Sequence, residues 1–128
     1  GLKNAVTRHP GVNFVICHLL APNGKQEEEL KRALEGLALP NVWFDLASVP
    51  HNCMDASEPW KRAGAYVRLA RDLVGADKLL FGTDMPSALK EAPYGDYVRW
   101  IREMEGLNDA EREQILYQNA AKVYAGLS

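Results

Sequence analysis

Gly75-Ala76-Asp77-Lys78-Leu79-Leu80-Phe81-Gly82-Thr83-Asp84-Met85-Pro86 is the stretch whose reading decides the fold. Its first three residues are turn formers, Lys78 to Gly82 is an apolar run of strand length, and a carboxylate, Asp84, follows just beyond it. Two other runs have the same character. Asn13-Phe14-Val15-Ile16-Cys17 follows His9-Pro10-Gly11, and Val42-Trp43-Phe44-Asp45-Leu46-Ala47-Ser48 follows Pro40-Asn41. Runs apolar on both faces suit strands covered on both sides, as in a parallel sheet.

The intervals between these runs read as helices. Asn23 and Gln26 have capping-box spacing, and Leu30, Ala33, Leu34 and Leu37 follow at helical period behind the acidic turn Glu27 to Glu29. A second helix runs from Glu58 to Val74, with Tyr66, Leu69, Ala70 and Leu73 on one face, and stops at Gly75. A third begins near Pro93 and buries Tyr94, Tyr97, Val98, Ile101 and Met104. The last starts at Asn108, with Glu111 at capping-box distance, and buries Ile115, Leu116, Ala120 and Val123. Strand and helix alternate, the pattern of an α/β fold with parallel strands.

Composition narrows the function classes. In 128 residues, 47% are hydrophobic and 25% charged, the balance of a folded domain with a core. The 15 Lys+Arg against 17 Asp+Glu leave a net charge of −2, so no basic surface draws in nucleic acid or anionic membrane. No apolar run approaches the roughly 18–20 residues of a bilayer span, and Gly1-Leu2-Lys3-Asn4 opens no signal peptide, so a cytoplasmic protein is expected. Two cysteines make no disulfide framework; Cys17 reads as a small core residue and Cys53 as a loop thiol that could be exposed. The chain contains no Gly-rich phosphate loop, Cys-x-x-Cys pair, Gly-x-Ser-x-Gly elbow or His-x-His.

In α/β folds ligands collect beyond the C-terminal ends of the strands. His18 follows the first run, Ser48-Val49-Pro50-His51-Asn52-Cys53 the second, and Thr83-Asp84-Met85-Pro86-Ser87 the third. An imidazole and a carboxylate at the same end of a sheet form a common metal-binding combination. Each also has a plain structural reading: His18 can close its strand with a backbone hydrogen bond, and Asp84 can cap the turn before Met85-Pro86. Trp43, Trp60 and Trp100 read as packing residues, and His9, at the other end of its strand, is given no role.

The segments Val15-Ile16-Cys17-His18, Asn41-Val42-Trp43-Phe44-Asp45-Leu46 and Gly75 to Pro86, with Ile115-Leu116-Tyr117-Gln118-Asn119-Ala120-Ala121 near the end, resemble the amidohydrolase-related family of metal-dependent TIM-barrel hydrolases and decarboxylases. The resemblance covers nearly the whole chain and implies that residues 1–128 form one unit, the C-terminal part of a (β/α)8 TIM barrel with strands six to eight and their helices. It also implies a divalent metal, often zinc, bound by the carboxylate after the last strand, here Asp84, with the histidine ending strand six, here His18, beside it as a catalytic and ligating group. The glycine that commonly follows that histidine is replaced by Leu19-Leu20-Ala21, and the family's His-x-His and fifth-strand histidine lie outside the chain.

The expected activity is hydrolysis of a C–N or C–O bond in a small carbonyl compound, with decarboxylation as the family's other chemistry. His51, Asn52 and Ser87 are the candidate substrate-facing residues. A catalytic zinc normally has three protein ligands, so the chain alone is expected to be inactive. An alternative reading is a non-catalytic α/β module that self-associates or binds a partner through open sheet edges and an apolar inner face; a homo-oligomer is expected on the same ground.

Overall fold

A computed structural model describes residues 1–22 and 27–125. Three strands, β1 (Phe14–Ile16), β2 (Val42–Asp45) and β3 (Leu79–Leu80), form one parallel sheet in the order β1-β2-β3. Phe14 lies opposite Val42, Ile16 opposite Phe44, and Phe44 opposite Leu79. The helices are α1 (Leu2–Arg8), α2 (Glu27–Gly36), α3 (Pro59–Val74), α4 (Tyr94–Glu103), α5 (Asp109–Glu113) and α6 (Asn119–Val123). A π-helical stretch, Gln114–Gln118, joins α5 to α6.

The sheet buries one face under the helices. Val42 and Phe44 of β2 are sealed with Leu30 and Leu34 of α2, Ala63, Val67 and Ala70 of α3, and Ile101 of α4. Trp43 and Asp45, on the alternate side of the strand, stay half-buried. There the Lys78 ammonium sits 4.0 Å from the centre of the Trp43 ring and donates to Pro40 O at 2.8 Å. Burial draws the Lys78 amine below its ordinary range, although Asp77 pulls the other way.

Each strand is shorter than its apolar run. The runs of residues 13–17, 42–48 and 78–82 were expected to be extended throughout, yet pairing ends at Ile16, Asp45 and Leu80. At the first two exits the backbone turns left-handed, at His18 to Ala21 and at Ser48, and such residues cannot continue a ladder. Gly82 marks another constraint: a Cβ there would lie 3.2 Å from the Ala47 Cβ, so a larger residue would have to push the exits of β2 and β3 slightly apart.

The helix boundaries follow the sequence reading. α3 ends where Gly75 takes φ +93, and Asn108 and Glu111 form a complete capping box on α5. The Asn23–Gln26 capping box lies outside the described residues. On α4, Tyr97 and Ile101 are buried, as is Met104 just past its end, but Tyr94 is exposed, its ring edge-on to Phe81 at 6.3 Å. Val98, Leu116 and Ala120 are only partly buried, because they lie at the borders of their helix faces. Cys17 is exposed and Cys53 buried, the reverse of the expectation. Cys17 stands just beyond the last paired residue of β1, whereas the Cys53 turn is tucked into the core beneath α3.

The C-terminal helix holds the two-residue strand β3 in place. The Phe81 N–H donates to Ile115 O at 2.9 Å, inside the π-helical stretch, where the wider turn leaves a carbonyl free for an outside donor. The buried Asn119 amide donates to Ala76 O at 2.7 Å and to Leu79 O at 2.9 Å. Replacing Asn119 with Ala leaves Leu79 O without its side-chain donor and Ala76 O with only the Leu79 N–H, and is expected to cost about 1–3 kcal/mol of stability. The shift of the urea unfolding midpoint at constant m-value measures it.

Candidate active site

The three strand exits lie side by side, as parallel pairing requires, and each delivers polar groups to the same end of the sheet. His18 leaves β1 with φ 58, and Leu19, Leu20 and Ala21 follow at φ 48, 62 and 51. Four consecutive non-glycine residues in the left-handed region cost about 1–2 kcal/mol each, so the turn must be held by its surroundings. The Ala21 N–H donates to His18 O at 2.7 Å, and the Leu19 side chain is completely buried in the core. The His18 N–H donates to Asp45 Oδ1 at 2.8 Å, and the ring Nδ1 lies 2.9 Å from Ala47 O. A carbonyl only accepts, so Nδ1 is the donor, and in the neutral ring the lone pair stands on Nε2.

Asp84 stands beyond β3 with φ 63 and an exposed side chain. The Ser48 hydroxyl, beyond β2 and also left-handed at φ 60, donates to Asp84 Oδ2 at 2.8 Å. The backbone of this loop is fixed by the Ala88 N–H to Asp84 O at 3.2 Å and by Tyr97, whose buried hydroxyl donates to Ala88 O at 2.9 Å. Tyr97 is in turn packed edge-on against Trp60 at 5.0 Å, and Trp100 donates to Trp60 O at 3.1 Å. This aromatic cluster forms a second small core that carries the loop.

A cavity of about 260 Å³ opens here, lined among others by Ser48, His51, Asp84, Ser87, Lys90 and Glu91. It brings His51 and Ser87 together with Asp84. Asn52 does not line it; its backbone N–H closes the turn on Ser48 O at 2.9 Å. His18 is not part of that lining and is held instead by Asp45 and Ala47. The His51 imidazole is oriented by Glu91, with Nδ1 2.7 Å from Oε1. Ser48, Glu91 and Asp45 were not singled out from the sequence. Ser48 and Asp45 occupied the same strand-exit positions as His18 and Asp84, which was the signal available for them.

The donor chemistry fits a divalent metal in part. Asp84 offers a carboxylate that accepts from Ser48, and His18 offers the Nε2 that carries the lone pair in the neutral ring. Among the described residues, no group of three or more His, Cys, Asp or Glu comes together to hold an ion. Neither cysteine is an activated nucleophile: the Asp45 charge, aided by burial, lifts the Cys17 thiol above its usual range, and burial lifts that of Cys53. No helix among the described residues is long and apolar enough to cross a membrane.

Substituting Ala21 with Gly tests the strained turn. Its side chain is exposed, so glycine removes left-handed strain without losing buried surface. The expected gain is about 0.5–1 kcal/mol, read as a rise in the urea midpoint.

The same fold recurs in known proteins. An amidohydrolase from Burkholderia multivorans superimposes with a TM-score of 0.85 at 23% identity, covering 97% of this chain and 48% of that one. Its zinc-bound crystal form gives 0.83 at 24%, with the same coverage. Amidohydrolase 2 from Bifidobacterium longum subsp. infantis gives 0.71 at 25%, covering 96% of this chain and 44% of that one. The L-fucono-1,5-lactonase of Burkholderia ambifaria is 31% identical over 102 residues, which is 73% of this chain and 33% of the lactonase. The chain thus spans a third to a half of the relatives it matches, and its parallel sheet and helices correspond to about half of an amidohydrolase TIM barrel. The amidohydrolase family model matches residues 2–126, and the chain belongs to the amidohydrolase family.

Proposed function

We propose that residues 1–128 form a single unit, the strand-six-to-eight part of a metal-dependent hydrolase barrel that cleaves a C–O bond in a small lactone or ester. The observation that carries this reading is Asp84: an exposed carboxylate at the exit of the last strand, steadied by Ser48 and facing a cavity lined by polar side chains. Likeness to a fuconolactonase favours lactone hydrolysis over cleavage of a C–N bond.

Asp84 and His18 would supply two of the ligands of a divalent metal, and zinc is present in one structural relative. Such an ion, when bound, contributes Lewis-acid polarisation and activation of water. The residues of the chain do the remaining work. The free oxygen of Asp84 accepts the proton of the attacking water while Ser48 keeps the other oxygen hydrogen-bonded and the carboxylate in one rotamer. His18, with its lone pair on Nε2, is set up as a ligand or proton acceptor; it stabilises a developing oxyanion only after taking up a proton. His51, held by Glu91, and Ser87 hydrogen-bond polar groups of the substrate.

In the complete barrel, Asp84→Ala is expected to lower kcat on an aldono-1,5-lactone by about 10²–10⁴-fold or more. Wild-type turnover in that variant overturns the assignment. The chain by itself brings two side-chain donors where three are normal, so isothermal titration with Zn²⁺ is expected to show no tight one-to-one site. A tight site with one zinc per two chains would instead support self-association, the second reading, which the half-buried Val15 and Trp43 favour.

A further inference from the structure

Asp45 is the last residue of β2, and its carboxylate reaches across to the exit of β1. We propose that Asp45 is a positioning residue that sets the orientation and tautomer of His18. Its Oδ1 accepts the His18 N–H at 2.8 Å and the Ala47 N–H at 3.1 Å. Ala47, gripped at its N–H, presents its carbonyl to His18 Nδ1 at 2.9 Å. The three residues close a ring of hydrogen bonds: carboxylate to two backbone N–H groups, and backbone carbonyl back to the imidazole. Asp45 Oδ1 itself lies 3.9 Å from Nδ1, beyond hydrogen-bonding reach, so it acts through the backbone of Ala47.

The left-handed backbone of His18 makes such a clamp necessary. At φ 58 a non-glycine residue persists only where its surroundings over-determine it, and a charge-assisted bond to its own N–H is the strongest restraint available there. Nδ1–H bonded to a carbonyl leaves Nε2 as the ring's only basic atom. That is the arrangement found where a backbone carbonyl holding one ring nitrogen orients a working histidine.

The functional meaning of this clamp rests on the role proposed for His18; its existence does not. The test is the ring tautomer of His18 in the ¹⁵N-labelled chain, read by long-range ¹H–¹⁵N correlation at one fixed pH where the ring is neutral. The wild-type ring is expected to be a single species protonated at Nδ1. In Asp45→Asn the amide oxygen accepts the same two N–H groups, so that species persists. In Asp45→Ala the ratio of the Nδ1–H to the Nε2–H form is expected to fall about tenfold, the effect of losing the Nδ1–H bond to the Ala47 carbonyl that Asp45 holds in place. A folded Asp45→Ala protein with an unchanged ratio overturns the proposal. So does a wild-type ring protonated at Nε2, a measurement that stands even where Asp45→Ala does not fold. The catalytic reading fails separately: turnover of the complete barrel that survives His18→Ala rejects it while leaving the tautomer result untouched.

Discussion

A strand of two residues cannot by its own ladder hold a carboxylate at an active site. β3 pairs with β2 on one side, and Leu46 N–H extends that pairing to Leu80 O at 2.9 Å. On the other side the C-terminal helix stands in for a strand: Ile115 O takes the Phe81 N–H, and Asn119 takes the carbonyls of Ala76 and Leu79. The backbone polar groups around β3 are thereby paired without a further strand, which burial demands. Asp84 lies three residues beyond Phe81, so its place at the sheet end depends on this helix as much as on the sheet.

The exits of the strands are the costly part of the chain. His18 to Ala21, Ser48 and Asp84 all lie at positive φ, conformations that L-residues adopt at an energetic penalty. Three of them are tied to a neighbouring exit by hydrogen bonds, His18 to Asp45 and Ala47, and Ser48 to Asp84, while the Ala21 N–H closes its own turn on His18 O. The strained backbone, the polar side chains and the cavity occur together at one end of the sheet. Strain concentrated at an end that also gathers hydrogen-bonding groups is characteristic of a functional surface. The opposite end, where His9 and the Asn41 side chain tie α1 to the sheet through bonds to His9 O and Val12 O, is built from ordinary turns.

Much of this was legible in the residues. Three apolar runs between turn formers identified the strands, Gly75 marked the end of α3, and Asn108 with Glu111 marked the start of α5, because these depend on local backbone preferences and on spacing. His18 and Asp84 stood out as candidates from the rule that ligands gather beyond parallel strands, and the structure places both at strand exits. Ser48, Glu91 and Asp45 were not, because their contacts span 36, 40 and 27 residues respectively. The burial of Asn119 and the exchange of places between Cys17 and Cys53 escaped for the same reason: a helix face or strand exit is assigned its environment by whatever packs against it.

The sequence by itself determined the alternation of strand and helix, the family, and the residue types available at each strand exit, since hydrophobic period, caps and turn residues act over a few positions. Tertiary structure alone decided which side chains meet. It paired Ser48 with Asp84 and His51 with Glu91, and it let one carboxylate, Asp45, join the exits of two strands and direct the ring of His18. The physical reason is that a hydrogen bond needs its partners within about 3 Å, and residues far apart in the chain reach that distance only when the sheet and the C-terminal helix have closed around them.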